Sequence, residues 1–168
     1  MDSGMALAHD FAATDLEPEA LCMTIRRLDL VDSAVVARVL RESFDERLPW
    51  LAGLHTPSED AAFFANVVFK ECDVWGFVEQ DAPVGFIAFR QAWIDHLYVL
   101  PTHQGRGVGS ALLNHAKARH PVLQLWTFQK NAGARRFYEA RGFEAVEESD
   151  GSRNEEGEPD IRYLWRRN

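Results

Sequence analysis

The stretch HQGRGVGSALL, residues 103–113, places three glycines at alternate positions directly before an apolar segment of helical character. Glycine loses more backbone freedom on folding than other residues, so this placement requires a physical reason. Bare backbone at Gly105, Gly107 and Gly109 lets N–H groups approach a ligand closely at the positive end of a helix. The stretch therefore predicts an anion-binding turn suited to a pyrophosphate, with Arg106 adding charge-assisted hydrogen bonds.

Two common phosphate-binding patterns do not fit this turn. The dinucleotide fingerprint G-x-G-x-x-G requires a third glycine where the chain has Ser110 or Leu112, depending on which glycine is counted first. The Walker pattern fails as well, because no G-K-[ST] follows the glycines. These mismatches disfavour a nucleotide-binding regulatory domain, although that interpretation stays open at this level.

Length and composition are typical of one globular domain. The 168 residues are 46% hydrophobic and carry a net charge of −8, which argues against nucleic acid as a partner. No apolar run reaches the ~20 residues of a membrane span, and no secretory leader is recognisable. We therefore expect no membrane contact. Because Cys22, Cys72 and the histidines lack metal-ligand spacing, we also expect no bound metal, and the cysteine usage favours a reduced, cytoplasmic setting.

The chain is predicted to consist of a flexible extension, residues 1–22, and one domain, residues 23–168. Along the domain, strand-like and helix-like segments follow the order β, α, α, β, β, β, α, β, α, β, β. The strand, loop, helix and strand between Trp93 and Phe128 favour a parallel βαβ unit. Hairpins on either side of this unit predict a mixed sheet flanked by helices.

Local signals mark the ends of these elements. Asp32 or Ser33 is the expected N-cap of the first helix, and Ser58 is expected to begin the second without a full capping box. The link QDAP, residues 80–83, predicts a hairpin turn. Asn131 is the expected cap of the last helix, and Gly142 is its expected left-handed end.

Two motifs in the right order make the chain resemble the GNAT superfamily of N-acetyltransferases. Gln104-x-x-Gly107-x-Gly109 matches the family's cofactor motif Q/R-x-x-G-x-G/A, and LYVLP precedes it as the family's fourth strand does. The later signature matches at Asn131, Ala134, Phe137, Tyr138, Gly142 and Phe143. The resemblance implies an α/β (α+β mixed) GNAT fold, in which acetyl-CoA lies between splayed parallel strands four and five of a central mixed sheet.

The resemblance also implies which residues bind the cosubstrate acetyl-CoA. Its pantetheine arm would pair with backbone near Leu97, Tyr98 and Val99, where an N–H would polarise the thioester carbonyl. The other contacts implied by the two motifs are Gln104, Gly105, Arg106, Gly107, Val108, Gly109, Ser110, Asn131 and Ala134. Trp93 and Trp126 are expected in the core or in the pocket wall.

Three residues are candidates for moving protons in the implied reaction. Tyr138 stands where the family places the general acid that protonates the departing CoA thiolate. Asp95 is the first choice, and His96 the second, for taking the amine proton directly or through a water. Because neighbours on a strand point to opposite faces, at most one of the two is expected to face the substrate.

The acceptor is expected to be an amine, of a small molecule or a peptide, that attacks acetyl-CoA directly. The acidic run between Glu147 and Asp160 is either a solvated loop or a rim that attracts a cationic amine. The apolar stretch from Phe44 to His55 is expected to cover the pocket or a dimer contact, and a homodimer is a family-level expectation. The alternative to an enzyme is an inert acyl-CoA-binding or sensor domain with the same fold.

Overall fold

The computed structural model describes residues 23–168, and the extension predicted for residues 1–22 lies outside the described residues. The order of elements predicted from the sequence is confirmed, and the helices α2 and α3 are joined by a π-helical turn (Phe64–Val68). In chain order the elements are β1 (Met23–Arg27), α1 (Ser33–Arg47), α2 (Pro57–Phe63), α3 (Phe69–Glu71), β2 (Asp73–Glu79), β3 (Ala82–Arg90), β4 (Trp93–Val99), α4 (Val108–Arg119), β5 (Val122–Phe128), α5 (Ala132–Glu139), β6 (Glu144–Ser149) and β7 (Asp160–Arg166).

Seven strands form one mixed sheet in the order β1-β2-β3-β4-β5-β7-β6. Neighbours pair antiparallel except β4 and β5, which run parallel and share a single registered pair, Trp93 with Gln124. Beyond that pair the two strands diverge, so the predicted splay is confirmed. The divergence opens the middle of the sheet at the carboxyl ends of β4 and β5.

Strand β3 is buried on both faces and separates two apolar cores. Phe86 and Ala88 belong to the core beneath α1 and the π-helical turn, while Ile87 and Phe89 belong to the core beneath α4. Side chains alternate between the faces of a strand, so one strand supplies both cores. Helices therefore cover both faces of the sheet, and its open middle is walled on each side.

The start of α2 corrects one prediction. The helix begins at Pro57 rather than Ser58, and its cap is Thr56. The Thr56 hydroxyl accepts a hydrogen bond of 3.3 Å from the Glu59 backbone N–H, and the Thr56 N–H donates to the Glu59 carboxylate at 2.7 Å. The chain thus contains the full capping box that was expected to be missing, set two residues earlier.

Other local signals are confirmed. Gln80 and Asp81 form the two-residue turn between β2 and β3, both with positive φ. The Asn131 side chain accepts a hydrogen bond of 3.0 Å from the Ala134 N–H, as an N-cap should. Gly142 has a φ of 80°, and Phe143 after it is buried against the core. Asp32 occupies the cap position of α1, although its carboxylate pairs with Arg26.

Candidate active site

A cavity of about 1100 Å³ fills the opening between β4 and β5. Leu97, Tyr98 and Val99 line it from β4, and Asn131 and Ala134 line it from the α5 side; their predicted contacts with acetyl-CoA stay predictions. Trp93 and Trp126 also form part of its wall. The edge of β4 beyond Trp93 has no strand partner on this side, so its backbone groups are available to pair with an extended ligand.

The glycine turn lies at one end of this cavity. Gly105 and Gly107 have φ values of 72° and 85°, in the left-handed region, and Gly107 is the N-cap of α4. No heavy atom lies within 4 Å of where a Cβ would stand on either glycine. With Gly109 and Ser110 also in the wall, the positive end of α4 faces the cavity. The turn therefore fits a pyrophosphate group.

Arg106 and Val108, unlike the glycines beside them, do not line the main cavity. Both line a smaller cavity of about 170 Å³ on the other side of the glycines, beside Glu79 and His103. The Val108 side chain is buried in the core, so any contact that this residue makes with a ligand in the main cavity comes from its backbone. Their predicted cofactor contacts stay predictions.

Two arginines that sequence reasoning missed stand around the glycine turn. Arg47, at the end of α1, donates a hydrogen bond to the side-chain oxygen of Gln104. Arg141 donates to the Ser110 hydroxyl at 2.6 Å and to the Phe137 carbonyl at 2.8 Å. No motif marks either residue, and both line the cavity, Arg47 through its contact with Gln104 and Arg141 through its contact with Ser110.

The main chain bulges at Asp95. Ala88 of β3 pairs with His96, but the next residue, Phe89, pairs with Ile94, so Asp95 has no partner on β3. A bulge inserts one residue and breaks the alternation of side chains. Asp95 and His96 therefore both line the cavity although they are neighbours on one strand, and the expectation that at most one faces the substrate stays a prediction.

The Asp95 carboxylate is already engaged within the protein. It pairs with the Arg90 guanidinium at 2.9 Å and accepts a hydrogen bond of 3.3 Å from the Cys72 thiol. Burial, together with this carboxylate, raises the pKa of Cys72 to about 12, so the thiol stays protonated at neutral pH. Cys72 is consequently a weak nucleophile and acts here as a donor.

His96 is half-buried and enclosed by aromatic rings. The ring centroids of Phe64 and Phe63 lie 5.4 Å and 6.1 Å from that of His96, and the Tyr98 ring lies at 6.2 Å. Burial lowers the pKa of His96 to about 4, because the imidazolium form would lose its hydration. The imidazole is therefore neutral at physiological pH and can accept a hydrogen bond, but it is a weak base.

Two phenols face the same cavity. Burial raises the pKa of Tyr98 to about 12, with a further contribution from the Glu156 carboxylate. Burial also raises the pKa of Tyr138 well above its usual value. Both hydroxyls thus remain protonated over the ordinary pH range, which a proton donor requires.

The β6–β7 connection also contributes to the cavity wall. Asn154 and Glu156 line the cavity, as do Phe44 of α1 and Leu48 directly after it. His55, in the connection between α1 and α2, pairs with Glu155 at 3.5 Å and so joins the two loops. Some side chains of the acidic run thus line the cavity while others, such as Asp150 and Glu155, are exposed, and the apolar stretch from 44 begins within α1.

Residues 23–168 contain neither a membrane-spanning helix nor a cluster of metal ligands. None of the helices in this part of the chain combines the length and apolarity needed to cross a membrane. In the same range, no group of three or more His, Cys, Asp or Glu side chains is arranged to hold a metal ion.

Comparison with known proteins gives consistent matches. Residues 70–145 match the model of the acetyltransferase (GNAT) domain. The peptidyl-lysine N-acetyltransferase YjaB of Salmonella typhimurium is 33% identical over 131 residues, covering 77% of this chain and 89% of that protein. The peptidyl-lysine N-acetyltransferase YiaC of Escherichia coli is 35% identical over 74 residues, or 44% of this chain; the match spans about half of YiaC, 51% of its length.

Solved structures of two N-acetyltransferases have a similar fold. The structure of the apo form of YjaB from Escherichia coli superposes with a TM-score of 0.73 at 24% identity, covering 86% of this chain and 98% of that one. The structure of the PaiA N-acetyltransferase from Thermoplasma acidophilum in complex with coenzyme A superposes with a TM-score of 0.68 at 20% identity, covering 88% and 100%. At these identities the likeness supports the fold.

Proposed function

Because this chain belongs to the GNAT family of N-acetyltransferases, we propose that it transfers the acetyl group of acetyl-CoA to the side-chain amine of a peptidyl lysine. The observation that carries the proposal is the gap between β4 and β5, which pair only at Trp93 and Gln124 and leave a walled cavity that ends at an anion-binding helix turn. Two relatives whose names specify peptidyl-lysine support the choice of acceptor.

The residues around the cavity fit the shape and charge of acetyl-CoA. The first turn of α4, with Gly105 and Gly107, would receive the pyrophosphate, and Arg141 beside Ser110 adds positive charge there. The free backbone edge of Leu97–Val99 would pair with the amides of the pantetheine arm. The bound cosubstrate supplies the activated acetyl group, and the protein supplies position, donors and proton transfers.

For removing the proton from the lysine ammonium, the geometry favours His96 over Asp95. The Asp95 carboxylate is already engaged by Arg90 and Cys72. The neutral His96 imidazole lines the cavity and can accept a hydrogen bond at physiological pH. Because burial makes this imidazole a weak base, the proposed path for the proton is a water that His96 positions beside the amine.

Tyr138 is the proposed donor to the departing thiolate. Its side chain is buried and faces the cavity, and among residues 23–168 its hydroxyl has no hydrogen-bond partner. That hydroxyl is therefore free to donate to a ligand atom. A phenol with a raised pKa holds its proton until a strong base forms beside it, as a thiolate does when the thioester breaks.

The test is acetylation of lysine-containing peptides by the purified protein, followed by release of free CoA and by mass spectrometry of the peptide. The wild type should modify lysine, and a reaction without peptide measures background hydrolysis. A Gly107→Glu variant, which places a carboxylate at the proposed phosphate site, should lose both acetyl-CoA binding and turnover. Binding of acetyl-CoA without acetylation of any amine would instead support the inert acyl-CoA-binding alternative.

A further inference from the structure

We propose that Glu156 binds the ammonium group of the acceptor lysine, an inference that rests on the proposed function. Four carboxylates line the main cavity: Asp95, Glu147, Glu156 and Asp160. Asp95 pairs with Arg90 at 2.9 Å, and Glu147 pairs with Arg162 at 2.9 Å. Within residues 23–168, Glu156 alone among the four has neither an ion pair nor a hydrogen bond.

The remaining pairs in this wall leave the charge of Glu156 uncompensated. Asp160 accepts hydrogen bonds from Ser149 and, at 3.1 Å, from Asn154. Arg153, the cation nearest to Glu156 along the chain, is directed to Glu147 at 3.5 Å. Glu156 is half-buried in the cavity wall and its carboxylate has no partner among residues 23–168, so it is available to a cationic group of a ligand.

Glu156 lines the same cavity as Tyr98 and His96 of β4. His96, proposed to position the water that takes the proton, lies beside Tyr98 with 6.2 Å between ring centroids. An ammonium held by Glu156 would therefore share one cavity with the proposed path of its proton.

The loop around Glu156 is well anchored. Asn154 donates to the Glu158 carbonyl at 2.8 Å and accepts from the Glu158 N–H at 3.2 Å, and Lys130 pairs with the Glu158 carboxylate at 2.9 Å. These contacts bracket Glu156 on both sides. The main chain that carries Glu156 is thus held in place before any acceptor binds, which favours specific recognition over general attraction.

The surrounding wall fits the rest of a lysine side chain. Phe44, Leu48 and Trp126 line the same cavity and offer apolar surface to a chain of methylenes. Lysine carries its compact ammonium on a flexible four-carbon stem, whereas the amine at a peptide N-terminus has no such stem. We therefore expect lysine side chains to be preferred over N-terminal amines as acceptors.

The experiment compares Glu156→Gln with Glu155→Gln in steady-state acetylation of a lysine peptide. Glu155 is the matched control, because it is an exposed neighbour that pairs with His55 and a glutamine keeps a hydrogen-bonding group there. Glu156→Gln should raise the KM for the peptide by about tenfold or more, since it removes a charge-assisted hydrogen bond. The KM for acetyl-CoA should stay unchanged, and Glu155→Gln should change the peptide KM by less than about twofold.

Further measurements separate binding from a general effect on folding. Glu156→Asp keeps the charge on a shorter stem and should give an intermediate KM for the peptide. Thermal melts of all three variants should match the wild type, and a peptide whose only amine is its N-terminus should be a poor acceptor for every protein. If Glu156→Gln does not fold, the inference is tested by Glu156→Asp alone, and an unchanged KM contradicts it.

Each remaining outcome has a distinct meaning. An unchanged peptide KM in Glu156→Gln, with an active wild type, overturns this inference and leaves the proposed function standing. Equal effects of Glu156→Gln and Glu155→Gln indicate general attraction by the acidic loop and also overturn it. A wild type that acetylates no lysine peptide overturns the proposed function, and this inference with it.

Discussion

The side-chain amide of Gln104 donates a hydrogen bond of 3.0 Å to the backbone oxygen of Val99. Val99 is the last residue of β4, and Gln104 directly precedes the glycine turn. One hydrogen bond thus joins the strand edge proposed to hold pantetheine to the turn proposed to hold pyrophosphate. The opposite end of the same side chain accepts from Arg47, so Gln104 is fixed from both sides.

We expect Gln104→Ala to weaken acetyl-CoA binding by about three- to tenfold, because one neutral hydrogen bond contributes about 0.5–1.5 kcal/mol and its loss frees the turn. Calorimetric titration with acetyl-CoA measures the effect. Asn114→Ala, on the exposed face of α4, is the control and should bind as the wild type does. Equal affinities for Gln104→Ala and wild type would show that the turn is positioned without this contact.

Gly107 should contribute to the stability of the fold even when no ligand is bound. Gly107 has a φ of 85°, a conformation that is about 1–2 kcal/mol less favourable for a residue with a Cβ. No heavy atom lies within 4 Å of where that Cβ would stand, so a loss of stability on substitution would come from the backbone conformation and not from a steric clash. Gly107→Ala should therefore lower the free energy of unfolding in urea by about that amount, and Gly107→Asn by less, because asparagine tolerates this conformation.

Gly109 provides the comparison for Gly107. It lies inside α4 without a positive φ, and a Cβ there would stand 3.4 Å from two ring carbons of Phe137. Gly109→Ala should gain helix propensity worth up to about 1 kcal/mol against a modest repacking cost, so its net effect should be small. A loss of stability in Gly109→Ala as large as in Gly107→Ala would contradict the argument from backbone conformation.

His96 should make the protein less stable in acid. Burial lowers the pKa of its folded state from 6.5 to about 4, so between these values the unfolded chain binds more protons than the folded one. Stability is then fully present above about pH 6.5 and is lost as the pH falls toward 4, by at most about 3 kcal/mol. Burial lowers the pKa of His115 too, so that residue adds to the slope with the same sign.

Urea unfolding at several pH values checks this prediction. His96→Gln should flatten the decrease between pH 6.5 and 4 relative to wild type, because glutamine does not titrate. His115→Gln serves as a second variant: the change from wild type to His96→Gln gives the contribution of His96, and the change from wild type to His115→Gln gives that of His115. Parallel curves for wild type and His96→Gln would show that the imidazole is not kept neutral by burial.

Much of the fold follows from local chemistry that the sequence displays. Asn131 at a helix start, Gly142 at a helix end and the turn at Gln80 and Asp81 each encode their conformation within a few residues. The separation of β4 from β5 and the cavity between them are implied by the two family motifs, which lie about 30 residues apart and flank the gap.

Features that depend on two distant segments could not be read in this way. The bulge at Asp95 exists only in the pairing of β4 with β3, and it places Asp95 and His96 on one cavity where strict alternation predicts opposite faces. Arg47 and Arg141 reach the residues of the glycine turn only through contacts with Gln104 and Ser110, each about 30 or more residues away in the sequence. Glu156 is one of several acids in its loop, and only the pairing of its neighbours distinguishes it.

Tyr138→Phe separates a proton donor from a packing residue. The Tyr138 ring contacts Phe137 and Phe143, with centroids at 5.1 Å and 5.4 Å, and phenylalanine keeps both contacts. Removal of the hydroxyl breaks no hydrogen bond within residues 23–168, so stability and acetyl-CoA affinity should change little. What is lost is the proton for the departing thiolate, and kcat should fall by about 10–100-fold, at the low end for general acid catalysis.

The pH profile and a second tyrosine make the test specific. Because burial raises the pKa of Tyr138, the wild type should show no loss of kcat from phenol ionisation up to about pH 10. Tyr163 is fully buried and donates a hydrogen bond of 2.5 Å to Glu139, so Tyr163→Phe should lower the melting temperature and leave kcat nearly unchanged. Tyr138→Phe should show the reverse pattern, with a lower kcat and a nearly unchanged melting temperature. If Tyr138→Phe turns over like wild type, the proton donor is a water and Tyr138 is only a residue of the cavity wall.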